Sequence, residues 1–224
     1  VLLNGGVPVH INLDGVNFSI DWDVVRSRIT PRTKMIIINT PHNPSGAVLL
    51  EKDLKELEKI ANESDLLVLS DEVYERLIFD GIRHESVLRY HGLADRCLAV
   101  FSFGKTFHAT GWKVGYVVAP AHLTEEVRKA HQFIVFSVNT PIQLALAEYL
   151  QNPEHYLTLG KFYQQKRDFF LTQIKGSSFE PMACHGSYFQ VLSYRHIADK
   201  PDVEMAEELT KKFKVASIPF SVFY

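Results

Sequence analysis

The sequence predicts an α/β fold built on a mainly parallel sheet covered by helices. Short apolar runs bounded by turn residues alternate with longer amphipathic stretches, the order in which parallel strands and their crossover helices follow one another. With 46% apolar residues over 224 positions, the chain can bury a substantial core. No internal repeat or low-complexity segment interrupts the pattern, which sets aside solenoid and disordered architectures.

Strands are expected at residues 7–13, 34–39, 66–70, 97–102 and 114–119. Between them, residues 51–63 read as a helix, because Leu54, Leu57, Ile60 and Ala61 share one face while Lys and Glu occupy the other. Helices are also expected at 123–133 and 141–150. From about Pro153 the texture changes to a long polar helix at 155–173, an alternating strand at 187–194 and a helix at 203–213. A domain change is expected near residue 165, giving a larger unit over 1–165 and part of a second over 166–224. The chain opens without an initiator Met on the run into a strand, and residues 215–224 stop in what reads as a strand and its exit loop. It therefore reads as a protein truncated at both ends.

Charge and composition exclude several partners. Basic and acidic residues nearly cancel, 24 against 26, so no broad positive field is expected to hold nucleic acid or an anionic membrane. A small-molecule ligand is expected instead. Cys97 and Cys184 are the only cysteines and have no close Cys/His spacing, which argues against a disulfide scaffold and a structural metal site and for a cytoplasmic location. No apolar run approaches the roughly 20 residues that cross a bilayer, and the opening Val1-Leu2-Leu3 is broken at once by Asn4-Gly5-Gly6. Neither a signal peptide nor a membrane span is expected.

Short segments at the ends of predicted strands carry the chemistry, and strand ends are where open α/β sheets place their ligands. Asn39-Thr40-Pro41-His42-Asn43-Pro44-Ser45-Gly46 follows the first of these strands, and taken alone it is ordinary turn chemistry. Ser70-Asp71-Glu72-Val73-Tyr74 delivers two carboxylates and a phenol, and Asp71 and Tyr74 share a side if a helical turn begins there. By itself it fits a helix cap or a metal-binding acid equally well. Ser102-Phe103-Gly104-Lys105-Thr106 ends another apolar strand and is followed by Gly111-Trp112-Lys113-Val114-Gly115. A strand-end lysine is usually just solvated, but Lys105 lies in sequence among Phe101, Phe103, Phe107 and Trp112, an apolar setting that can make an amine nucleophilic.

Gly104-Lys105-Thr106 also looks like the end of a nucleotide-binding P-loop. That reading fails because Ala99 stands where the first loop glycine is needed, and because the acidic strand precedes the lysine rather than following it.

Taken together and in order, Asn43 to Gly46, Asp71 to Tyr74, Ser102 to Lys105 and the basic Lys113 resemble the pattern of fold type I pyridoxal phosphate (PLP) enzymes, specifically the class I/II aminotransferases. Within that family Thr40-Pro41-His42-Asn43-Pro44, Ser70 to Tyr74 and Gly104-Lys105-Thr106-Phe107 are similar to the methionine, glutamine and kynurenine transaminase branch. The stretches at 128–132, 137–141 and 162–167 look most like the bacterial methionine aminotransferases.

The resemblance implies a three-layer fold type I large domain with part of a C-terminal α+β small domain. It implies PLP joined to Lys105 as an imine, Asp71 paired with the pyridine nitrogen, and Asn43 and Tyr74 on the ring oxygen. Ser102 and Lys113 are then phosphate ligands, with Lys113 a point charge where many relatives have arginine. Phe136 and Ser137 are similar to a segment that reaches the neighbouring subunit's pocket in a homodimer, the alternative being that Phe136 is a core residue at a helix end. His42 and His108 flank the motifs and are left outside the site.

The implied activity moves an amino group from an L-amino acid, of methionine, glutamine or aromatic kynurenine-like type, to a 2-oxo acid. The same scaffold also supports β-lyases, and a non-catalytic fragment is the third possibility. The resemblance places a glycine-rich phosphate turn and a ring-stacking aromatic before Val1, and a carboxylate-binding arginine beyond Tyr224.

Overall fold

The computed structural model describes residues 1–223. Its main sheet has four strands in spatial order: β1 (Met35–Asn39), β2 (Leu67–Asp71), β3 (Cys97–Ser102) and β4 (Gly115–Val118). β1, β2 and β3 are parallel, and β4 runs antiparallel to β3. The expected α/β class with a mainly parallel sheet is what forms.

Nine α-helical segments are found among the described residues: α1 (Trp22–Arg28), α2 (Glu51–Glu63), α3 (His91–Ala94), α4 (Phe103–Thr106), α5 (Ala121–Ile134), α6 (Thr140–Tyr149), α7 (Glu154–Leu157), α8 (Leu159–Gln173) and α9 (Asp202–Glu208). None is long and apolar enough to cross a membrane. α2 shows why the sequence folds here. Leu54, Leu57 and Ala61 are fully buried against Ile38 of β1, Val68 of β2 and Cys97, Ala99 and Phe101 of β3. Fully burying a leucine side chain is worth roughly 1.5–3 kcal/mol, so this face alone binds the helix firmly to the sheet. Asp53 accepts a hydrogen bond from the Leu50 amide at 2.9 Å at the start of α2 and another from Trp22 Nε1 at 3.1 Å, which docks α1.

Parallel strands place their C-terminal ends at one edge of the sheet. Asn39 pairs in register with Asp71, Asp71 with Val100, and Ser102 with Gly115 at the start of β4. All the strand-end segments singled out above therefore reach the same edge.

Several expected elements differ. Residues 7–13 form no strand: Val7 and Val9 are exposed and the segment has no ladder partner among the described residues. The alternation at 187–194 yields only β6 (Leu192–Ser193), paired antiparallel with β5 (Glu180–Pro181). A strand exists only where a neighbour accepts its backbone bonds, and sequence alternation cannot supply that neighbour. The polar helix expected at 155–173 is divided at Thr158 into α7 and α8. That expected at 203–213 continues beyond α9 as a π-helical turn, Leu209–Phe213. No strand follows residue 215; Phe220–Phe223 is a 3-10 turn, and Tyr224 lies outside the described residues.

Candidate active site

The loop after β1 is folded on itself by its own side chains. Asn39 Oδ1 accepts the Asn43 amide at 2.8 Å, while Asn39 Nδ2 donates to the Asp71 carbonyl at 2.9 Å. Buried Thr40 accepts the Leu49 amide through Oγ1 at 3.0 Å, and Ser45 Oγ lies 2.8 Å from His42 Nδ1. Burial pushes the His42 imidazole below its ordinary proton affinity. The loop ends at Gly46, whose positive φ of 74° suits glycine and whose carbonyl accepts the His185 and Gly186 amides at 2.9 and 3.0 Å. A Cβ at Gly46 would lie 2.5 Å from Cys184 Sγ, so this turn and the segment 184–189 fit together only without a side chain.

Beyond β2 the chain turns at Asp71. Glu72 is fully buried and takes hydrogen bonds from Ser70 Oγ at 2.9 Å and the Val87 amide at 3.1 Å, with His84 Nε2 2.7 Å away. This network fixes the strand end that carries Asp71 and Tyr74. Asp71 is partly buried, and loss of solvent raises its carboxyl above the usual range, against the opposing Val73 amide and Lys105 charge. Tyr74 is 1% exposed, and burial with its Tyr188 contact holds its phenol well above the ordinary value, so it stays protonated.

Lys105 lies in α4, directly after β3. Its Nζ donates to the Tyr188 hydroxyl at 3.3 Å and sits 5.7 Å from the centre of the Tyr74 ring. Tyr74 in turn donates to the Tyr188 hydroxyl at 3.4 Å. A cleft of about 410 Å³ opens here, lined by Gly104, Lys105, His108, Thr110, Tyr163 and Tyr188. Lys105 thus meets Tyr74 and Tyr188 directly, and its charge is felt at Asp71.

Other expected residues stand elsewhere. Ser102 lines a separate cavity of about 140 Å³ with Phe101, Phe103, Phe107 and Tyr116. Those aromatics stack on one another, Phe101 on Tyr116 at 4.8 Å and Phe103 near Tyr116 at 5.0 Å, so the rings beside Lys105 in sequence are not the rings it touches in space. Lys113 is exposed in the left-handed region just before β4, at the same sheet edge. Phe136 is 79% exposed with a φ of 64°, beyond the end of α5, and Ser137 Oγ donates to the Val138 carbonyl at 3.2 Å.

Sequence reasoning did not single out Tyr188 or Tyr163, and it left His108, which flanks the Lys105 motif, outside the site. Tyr163 sits 3.1 Å from His108 Nδ1 through its hydroxyl, and its ring is 5.9 Å from that of Tyr188. Tyr163 and Tyr188 come from segments far from Lys105 with no shared motif, and only the fold brings them to it.

Fold and strand-end chemistry define a class, and comparison with known proteins agrees: the family model of aminotransferase class I and II matches residues 1–224. The chain belongs to that family. It is 45% identical to a methionine aminotransferase of Escherichia coli over all of this chain and 58% of that protein. It is 35% identical to kynurenine–oxoglutarate transaminase 3 of Rattus norvegicus over all of this chain and 55% of that protein. The crystal structure of Escherichia coli YbdL, described as having a methionine aminotransferase function, superposes with a TM-score of 0.97 at 45% identity, covering 99% of this chain and 58% of that one. A Mycobacterium tuberculosis N-succinyldiaminopimelate aminotransferase superposes with a TM-score of 0.91 at 36% identity, covering 97% and 57%. This chain spans somewhat over half the length of the relatives it matches.

Proposed function

We propose that this chain carries the cofactor-binding core of a PLP-dependent aminotransferase, which moves the amino group of an L-amino acid of methionine, glutamine or aromatic kynurenine-like type to a 2-oxo acid. The observation that carries it is the contact of Lys105, at the wall of the cleft, with Tyr74 and Tyr188, with the Asp71 carboxylate within electrostatic reach of the same amine. The residues present fit the cofactor. Asn43 Oδ1 is buried with no hydrogen-bond partner; with the amide turned over, Nδ2 would stand there and donate to the cofactor's ring oxygen. Asp71 is a partly buried carboxylate whose lost hydration would be replaced by a cationic ring nitrogen.

Bound PLP supplies an electron sink for the breaking Cα–H bond of the amino acid. The protein's residues do the rest. Lys105 Nζ would hold the cofactor and would serve as the base that moves the proton at the substrate α-carbon. Asp71 keeps the ring nitrogen protonated. Tyr74, which remains neutral, and the Asn43 amide would donate to the ring oxygen, while Ser102 and Lys113, at the same sheet edge but outside the Lys105 cleft, would take the phosphate. Phe136 and Ser137 belong to the neighbouring subunit's pocket in a homodimer. Two free buried thiols suit a cytoplasmic location.

Borohydride reduction of the protein mixed with PLP, followed by peptide mapping, tests the assignment. The reduced cofactor is expected on Lys105 alone. Its appearance on Lys113 or Lys129 instead would overturn the reading, and so would ammonia and pyruvate as products in place of a keto acid and an aminated cofactor.

A further inference from the structure

Lys105 and Tyr74 share a partner that neither motif contains. The Tyr188 hydroxyl accepts from Lys105 Nζ at 3.3 Å and from the Tyr74 hydroxyl at 3.4 Å. A phenol oxygen accepting twice has used both lone pairs and keeps its own proton to donate. The Tyr188 ring is held on three sides: edge-on to Tyr74 at 5.2 Å, against Phe189 at 4.8 Å and against Tyr163 at 5.9 Å.

The segment presenting Tyr188 is itself clamped. Ser187 is fully buried with a φ of 62°, its amide donates to the Leu77 carbonyl at 3.0 Å, and the His185 and Gly186 amides donate to Gly46. Arg167 of α8 donates to the Cys184 carbonyl at 2.8 Å while paired with Asp80 at 2.6 Å. A left-handed non-glycine residue is costly, and this one stands immediately before the tyrosine it aims.

We propose that Tyr188 is a positioning residue for the proposed cofactor lysine, holding the Lys105 amine beside Tyr74 and tying its orientation to the docking of residues 184–189. The inference rests on the Lys105 assignment above. Without the hydroxyl, a flexible lysine stem regains the rotamers that the contact excludes, and the amine meets its target less often in the productive geometry.

The test is Tyr188→Phe in the protein at its full natural length, which keeps the ring packing and removes only the hydroxyl. In the cofactor-free protein, competitive acetylation with acetic anhydride should show Lys105 labelled about threefold or more faster in the variant, with Lys113 and Lys129 unchanged; loss of one hydrogen bond of ordinary strength allows a change of that size. Trapping with PLP and borohydride should show Lys105 labelling slowed by about tenfold at unchanged Tm. Unchanged Lys105 rates in both assays, with the wild type trapped on Lys105, would overturn the positioning role and leave the aminotransferase reading standing. A wild type that is not trapped on Lys105 would overturn both.

Discussion

Asp71, the proposed partner of the cofactor's ring nitrogen, illustrates how such a role opposes the stability of the fold. Its carboxyl is raised by burial, so the charged form is less comfortable in the folded chain than in the unfolded one. For an acid with a raised folded value, the favourable contribution is complete below the ordinary value of 3.8 and is lost as pH rises through the folded value. At neutral pH the charge is therefore a net cost in the cofactor-free protein, set against its attraction to Lys105. Asp71→Asn keeps an acceptor for the Val73 amide and removes the charge. It should leave Tm equal to or above the wild type at pH 7, with the difference vanishing below about pH 4, while amino transfer falls by at least about 100-fold because the proton on the ring nitrogen is no longer held. Thermal melts across pH, beside single-turnover rates, check both halves; a variant that melts lower and still turns over would sink the argument. That Asp71, Tyr74 and Lys105 gather at one edge of the sheet was legible in the sequence because each follows an apolar strand; their proposed roles come from the family resemblance. Tyr188 was not, because it follows no apolar run and meets Lys105 only through the fold of a chain segment 83 residues away.

At the scale of elements, α2 and the β2 and β3 strands followed from local pattern, since their apolar faces repeat at helical or strand spacing and find partners within the same sheet. The helices at 159–173 and 202–208 followed likewise, but the segment between them did not. Its arrangement rests on long-range polar clamps, of which Arg167 is the centre, donating to Asp80, Asp168 and the Cys184 carbonyl. That guanidinium holds the Asp80 carboxyl down at about 2, with help from His185. A depressed folded value means stability that is present above the ordinary value of 3.8 and is lost as pH falls toward 2. Asp80 is 38% exposed, so solvent screening keeps the pair near 1 kcal/mol, or about 2–4 °C of Tm in a chain of this size. Arg167→Gln is expected to lose that much at pH 7 and to show a shallower decline between pH 4 and 2 than the wild type. Equal acid sensitivity in the two proteins, read by circular dichroism, would place the acid-labile contact elsewhere.

The molecule leaves two apolar surfaces uncovered. β4 is exposed along its length through Tyr116, Val117 and Val118, and its outer edge has no strand partner among the described residues. Beyond α5, Phe133, Ile134 and Phe136 are 86%, 80% and 79% exposed, a contiguous apolar run of the kind that marks an association surface. The proposed homodimer gives Phe136 a partner, and a two-fold interface uses each residue twice. Burying one phenylalanine is worth roughly 1.5–3 kcal/mol, so losing two symmetry-related copies weakens the dimer by about 3–6 kcal/mol, on the order of 10²- to 10⁴-fold in Kd. Phe136→Asp removes that contact and sets two carboxylates where apolar surface was buried. In the protein at full natural length, sedimentation velocity over a dilution series should show the variant dissociating at concentrations where the wild type stays paired, with amino transfer falling in step with the monomer fraction. If Phe136 is instead covered by another segment of its own chain, the variant will melt at lower temperature with its dimer constant unchanged, and the expected role of residues 136 and 137 in a neighbouring pocket fails with it.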